Sequence, residues 1–191
     1  MYFEPFLLED SCTIRAQIFV DDEPQQEFIE ETIAISKKVK SVELSAQPHK
    51  NYTGHQAYTL VDNLFGSRKH KDGKWLGYQD NSLEVTIELE KEQTIREFGI
   101  SYLTLYGAWI FPPSSFDFSI SDDGKNYRLI KNMKIELNRD AHNATNKHRM
   151  EGEIVNTKFI RFNIYNYGRL PDWHDATGNQ AWFFIDELIF E

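Results

Sequence analysis

One pair of adjacent carboxylates, Asp186-Glu187, sits in an otherwise apolar stretch between Trp182-Phe183-Phe184-Ile185 and Leu188-Ile189-Phe190. Two neighbouring acids can divide the general-acid and general-base work of hydrolysis, provided that both reach one substrate. Residues 182–190 read as a strand, in which successive side chains point to opposite faces, so this pair is expected to fail that condition. A carboxylate in so apolar a strand still needs a partner, because burying a lone charge is very costly, and a cation is the natural one.

A second group of residues suits binding rather than bond cleavage. Tyr106 and Trp109 stand in one loop-like segment, and Arg169, Trp173 and His174 stand in another. A sugar site needs an apolar platform with a few hydrogen-bonding groups around it. These five side chains supply that if the two loops meet at one end of the fold. The alternative is that Trp109 and Trp173 plug loop ends. Trp75 and Trp182, flanked by apolar residues, read as core. Nothing else in the chain points to catalysis. His49, His55, His70, His142 and His148 lack a zinc spacing and read as solvated surface. Cys12 is alone, which excludes an intramolecular disulfide and a cysteine-built zinc site. No Ser/His/Asp order, phosphate loop or HExxH motif is present. Asn51-Tyr52-Thr53 and Asn143-Ala144-Thr145 match glycosylation sequons only formally.

The elements that must position these groups are strands. Leu83, Val85, Ile87 and Leu89 alternate with polar residues, as do Phe98, Ile100 and Tyr102, then Phe116, Phe118 and Ile120, then Ile160, Phe162 and Ile164. Asp122-Asp123-Gly124-Lys125-Asn126 reads as a turn, with a return strand beginning at Tyr127 and Leu129. The run 182–190 is apolar almost throughout, as a strand buried on both faces would be. Helical periodicity is nearly absent, with 27–37 the one short candidate. Many short strands separated by turns predict an all-β fold, an antiparallel jelly-roll β-sandwich. Aromatic residues make up 14% of the chain, a proportion that suits pleated surfaces and a sugar site alike.

The organisation reads as two units. Residues 1–38 are expected to form a partial β-unit, with a strand around Thr13, Ile14, Ala16, Ile18 and Val20, a turn at Asp21-Asp22-Glu23-Pro24, and a second extended piece at 28–35. Two or three strands cannot bury a core alone. Lys37-Lys38-Val39-Lys40 reads as a solvated linker, and 39–191 as the complete sandwich.

Composition narrows the partners. The 191 residues carry 30 Asp and Glu against 21 Lys and Arg, a formal charge of −9. That balance argues against nucleic acid and anionic membrane, both of which need a dense basic footprint. Apolar runs are too short for membrane insertion. Met1-Tyr2-Phe3-Glu4-Pro5 has neither the basic nor the apolar region of a signal peptide.

Two segments carry a family resemblance. The first is Leu60-Val61-Asp62-Asn63-Leu64-Phe65-Gly66-Ser67 with Asp72-Gly73-Lys74-Trp75-Leu76-Gly77-Tyr78. The second is Trp173-His174 with Ala181-Trp182-Phe183-Phe184-Ile185-Asp186-Glu187-Leu188-Ile189. Trp109-Ile110-Phe111-Pro112 and Ser119-Ile120-Ser121-Asp122-Asp123-Gly124 fall between them in matching order. Together they resemble the discoidin, or coagulation factor C-type, domain, and within it the family 32 carbohydrate-binding modules. The version at the C-terminus of bacterial family 20 β-N-acetylhexosaminidases is similar over about 150 residues. Tyr2-Phe3-Glu4-Pro5-Phe6 and Ser11-Cys12-Thr13-Ile14-Arg15-Ala16 resemble the tail of the small sandwich before that module, which implies a chain cut from a longer protein.

The resemblance implies a non-catalytic module that binds galactose- or N-acetylhexosamine-containing glycans. It also implies a parent catalytic domain in cis, and a periplasmic, cell-surface or secreted location. It implies a structural Ca2+ as well, between the Asp-x-x-x-x-Ser loop and the final Glu. Here that means Asp62, Ser67 and Glu187, with the Leu60 carbonyl helping to complete the shell. Asp62-Asn63 departs from the commoner Asp-Gly. The alternative is that Asp62 caps a turn and Glu187 pairs with an arginine. For function, the alternative is a structural or protein-interaction domain with no sugar site.

Overall fold

A computed structural model of the chain describes residues 6–8, 12–21, 23–33, 37–79, 82–140 and 142–191. The expectations resting on residues 2–5, Ser11, Asp22 and 34–36 lie outside them. Strands β1 (Cys12–Val20) and β2 (Glu23–Ile33) pair antiparallel, from Cys12 opposite Ile33 to Val20 opposite Glu23, as a two-stranded sheet. Residues 27–33 are therefore extended, not helical. Thr32, Ile33 and Ile29 are β-branched, and a pleated pairing suits them better than a helix does.

The remaining strands form one seven-stranded antiparallel sheet. They are β3 (Val39–Leu44), β4 (Leu76–Tyr78), β5 (Leu83–Leu105), β6 (Ser115–Ser121), β7 (Arg128–Lys134), β8 (Asn143–Tyr165) and β9 (Phe183–Phe190). Their order is β4-β9-β5-β8-β6-β7, with β3 against β5. The long strands β5 and β8 pair along their whole length, with register shifts between Glu88 and Gln93 and between Ile95 and Glu97. The first half of β5 pairs with β3 and the second half with β9. The sheet thus folds over onto itself, and Phe98 of β5 stacks on Phe118 of β6 at 4.2 Å across the interior. This is an all-β antiparallel sandwich.

The alternating residues read from the sequence fill the core. Leu83, Val85, Ile87 and Leu89 are buried from one layer, and Phe98, Ile100, Phe183 and Ile185 from the other. Residues 37–40 lead into the sandwich rather than forming the expected linker, although Lys38 and Lys40 are exposed. Val39 opens β3 opposite Leu89, and Lys37 is held by its backbone N–H on the Val61 carbonyl at 2.8 Å. Strand β9 is buried on both faces. Phe183 and Ile185 point into the main core, while Phe184 joins a second cluster with Trp75, Leu103 and Ile110. Trp182 is only half-buried, against that second cluster. No helix among the described residues is long and apolar enough to cross a membrane.

Candidate functional site

The register between β5 and β9 slips between Ser101 and Tyr102, where Ser101 faces Glu187 and Tyr102 faces Ile185. Asp186 is the extra residue of a β-bulge, and a bulge breaks the alternation of faces. The expectation of opposite faces is overturned here. The Asp186 carboxylate accepts the Gly66 N–H, and Glu187 Oε2 accepts the Asn63 N–H at 3.0 Å, so both acids address one loop. Neither can act on a substrate, since both side chains are fully buried. Burial raises Asp186 to about 6 and Glu187 to about 8, with the Asp62 charge adding to the rise at Glu187.

The cation beside Glu187 is a side chain. Lys37 Nζ donates to Glu187 Oε1 at 2.9 Å and to the Leu188 carbonyl at 3.0 Å. Asp62 is buried at the end of a 3₁₀ turn, Gln56–Val61, that also buries Leu60. Its Oδ1 accepts the Leu64 N–H at 2.8 Å, and its Oδ2 lies 3.1 Å from His55 Nδ1. Asn63 follows with φ +57°, the left-handed conformation that asparagine tolerates. Ser67 stands apart: it is exposed, and its Oγ accepts the Lys69 N–H at 3.2 Å.

These residues do not fit the expected calcium site. Calcium takes six to eight oxygens, whereas the carboxylates of Asp62 and Glu187 are met by N–H donors and an ammonium. No group of three or more His, Cys, Asp or Glu among the described residues is placed to hold a metal ion. The arrangement is close to the alternative, a capped turn and an ion pair, with lysine in place of arginine.

At the aromatic end, the structure brings Tyr106, Trp173 and His174 together. Tyr106 and Trp173 meet edge to face at 5.3 Å, and His174 Nε2 lies 2.9 Å from the Tyr106 carbonyl oxygen. Tyr106 is buried, and its hydroxyl donates to the Asn138 carbonyl at 2.7 Å, so it is a wall rather than a free hydrogen-bonding group. Trp109, at φ +64°, packs half-buried against the cluster of Tyr106, Phe111, Leu170 and Ala181. Arg169 is exposed and donates to the Gly178 carbonyl at 2.7 Å, which braces the 169–180 loop. Trp173 is 37% exposed, with the Arg139 guanidinium 4.8 Å from its ring centroid. Sequence reasoning missed Arg139 and Phe111. The signal for Phe111 was its place beside Trp109; Arg139 has none, since its segment is irregular.

A second aromatic group lies on the outer face of β9, also missed. Trp182 meets His49 edge-on at 5.2 Å and Tyr52 at 5.6 Å, and Tyr52 meets Phe184 at 4.7 Å. Trp182 joins the two groups, because its N–H donates to the Trp109 carbonyl and its own carbonyl accepts the Phe111 N–H. His49 is exposed, as expected from the sequence, although its ring meets Trp182; His70 is instead half-buried against Tyr52 and Phe184.

The sandwich, its bent long strands and its loop-borne aromatics agree with a family comparison. Residues 39–186 match the F5/8 type C domain. The chain belongs to that family. The F5/8 type C fold also recurs in solved structures, at low identity. A CBM32 module of a family 31 glycoside hydrolase from Clostridium perfringens superposes with a TM-score of 0.53 at 15% identity, covering 80% of this chain and 90% of that one. A CBM32 module of a Clostridium perfringens protein, CpGH89, in complex with GalNAc-β-1,3-galactose, gives 0.51 at 14%, covering 78% and 93%. A pectin-binding module gives 0.50 at 19%, covering 82% and 92%. These likenesses establish the fold of a carbohydrate-binding module, one that occurs in glycoside hydrolases. No curated protein matches the sequence.

Proposed function

We propose that this F5/8 type C domain is a non-catalytic carbohydrate-binding module that recognises galactose- or N-acetylhexosamine-containing glycans. We further propose that it serves a bacterial family 20 β-N-acetylhexosaminidase in cis, in the periplasm, at the cell surface or outside the cell. The observation that carries the binding reading is Trp173, a large ring left 37% exposed among Tyr106, Phe111 and His174. The likeness to a module solved with GalNAc-β-1,3-galactose supports it. The parentage rests on the sequence resemblance alone.

A platform this shallow holds one or two sugar units, for which about −4 kcal/mol, a Kd of order 1 mM, is the expected scale. Titration of galactose and N-acetylglucosamine into labelled protein, followed by NMR shifts, tests the reading. Binding should shift the Trp173 indole, and Trp173→Ala should weaken it by roughly tenfold, the share of one half-covered aromatic face. Arg139 over the ring favours a second reading, that this end is closed and the domain only packs against its parent. A silent glycan array together with unshifted indole signals would decide for that one.

A further inference from the structure

One of the basic stretches of this acidic chain is 68–74, in which Arg68, Lys69, Lys71 and Lys74 stand against one carboxylate, Asp72. That carboxylate is used locally, accepting the Ser67 and Lys74 N–H groups at 2.6 and 2.9 Å. Among the described residues, none of the four cations has a carboxylate within ion-pair distance. Asp72 lies within the run and Lys74 also acts on Asp62, which leaves Arg68, Lys69 and Lys71 as an excess of positive charge that favours an external anion.

The loop borders a cleft of about 420 Å³ whose walls include Asn51, Tyr52, Thr53, His70, Lys71 and Trp75. That is the size of a small-ligand site. Its floor is rigid. Trp75 is 1% exposed with its indole N–H on the Ser67 carbonyl at 3.1 Å, and the Tyr52 ring packs on Phe184. Around the floor stand an amide, a hydroxyl, an imidazole and an ammonium, the mixture that recognises hydroxyls and one negative charge together. Burial, and then the Lys71 charge, holds His70 below the usual histidine range, so at neutral pH it is an uncharged hydrogen-bonding group. At Gly73, with φ +82°, no atom lies within 4 Å of where a side chain would begin, so the rim there is open.

We propose that this cleft is a second carbohydrate subsite, separate from the Trp173 platform, that takes an anionic sugar unit, either a uronate or a sulfated hexose. The proposal rests on the carbohydrate-binding reading and adds the class of glycan. A lipid surface is the weaker fit. Segment 68–74 has no apolar side chain to insert, and the net charge of −9 opposes an anionic bilayer.

The test uses the full chain and three tetrasaccharide probes: tetragalacturonate, a chondroitin sulfate tetrasaccharide and galactotetraose. Calorimetry should show one of the charged probes binding at least roughly tenfold more tightly than the neutral one, the scale of a charge-assisted hydrogen bond. The preferred probe tells carboxylate from sulfate. Added salt should erase the preference. Lys71→Gln should remove most of it while leaving galactotetraose affinity and the melting temperature unchanged. Equal affinity for charged and neutral probes overturns this proposal and leaves the carbohydrate-binding reading intact. No binding of any probe overturns both. Binding of phosphatidylserine vesicles that Lys71→Gln abolishes, with no sugar bound, overturns it in favour of a membrane surface.

Discussion

Lys37 and Glu187 are 150 positions apart, and their side chains meet at 2.9 Å with the carboxylate fully buried. Breaking such a pair from one side leaves Glu187, among the described residues, with the Asn63 N–H as its hydrogen-bond donor. Near neutral pH, Lys37→Met should cost about 1–3 kcal/mol in urea unfolding, the scale of a lost buried hydrogen bond, because Glu187, raised to about 8, takes up a proton in place of its partner. With an ammonium already in place, the wild-type melting temperature should not respond to EDTA. A clear fall on chelation, restored by calcium, would mean that the ion displaces Lys37. Trp75→Ala, the loss of a fully buried ring, should cost about 3–5 kcal/mol in urea unfolding. The need for a cation at Glu187 was legible, since a carboxylate in an apolar strand demands one. Its source was not, because Lys37 looked like one of several solvated lysines and only the packing of 37 onto Val61 brings it there.

Among the elements, β5, β6 and β9 were legible because their inward residues are strongly apolar. The first half of β8 was not. Its alternating positions there are Ala144, Asn146, His148 and Met150, half-buried and mostly weakly apolar. The bulge at Asp186 has no sequence signal either, and it reverses the geometry inferred for the acid pair. Gly99 lies hard against β8, since a Cβ there would stand 2.1 Å from the His148 carbonyl. Gly99→Ala should destabilise by about 1–3 kcal/mol, as overpacking does; an unchanged urea midpoint would show that the strands can part. The β6–β7 turn is built on Asp123, whose carboxylate accepts the Asn126 and Lys125 N–H groups at 2.8 Å. Those bonds hold it well below the usual aspartate range. Its stabilisation is present above that range and lost as pH falls through the lowered value. Asp123→Ala should thus melt earlier than wild type at neutral pH, with the two curves converging in strong acid.

For the whole molecule, the decisive contrast is between a sandwich with a filled interior and a hairpin without one. The family match begins at residue 39, where β3 begins. Ahead of it, β1 and β2 expose Ile18 at 70%, Phe19 at 59% and Ile29 at 74%. A two-stranded sheet cannot bury such residues, so its apolar surface contributes little to stability by itself. The core of the sandwich is drawn from residues 60–190, with Val39, Val42 and Leu44 packed against it. Removing residues 1–33 should therefore leave the urea-unfolding free energy within about 1 kcal/mol of the full chain, the range of changes away from a core. The deletion spares Lys37, so the clasp on Glu187 stays. It should also lower self-association on gel filtration, because the exposed Ile18, Phe19 and Ile29 side chains go with it. If the shortened chain instead unfolds, the hairpin is part of the sandwich's support, and the division near residue 39 describes the sequence but not the folding unit.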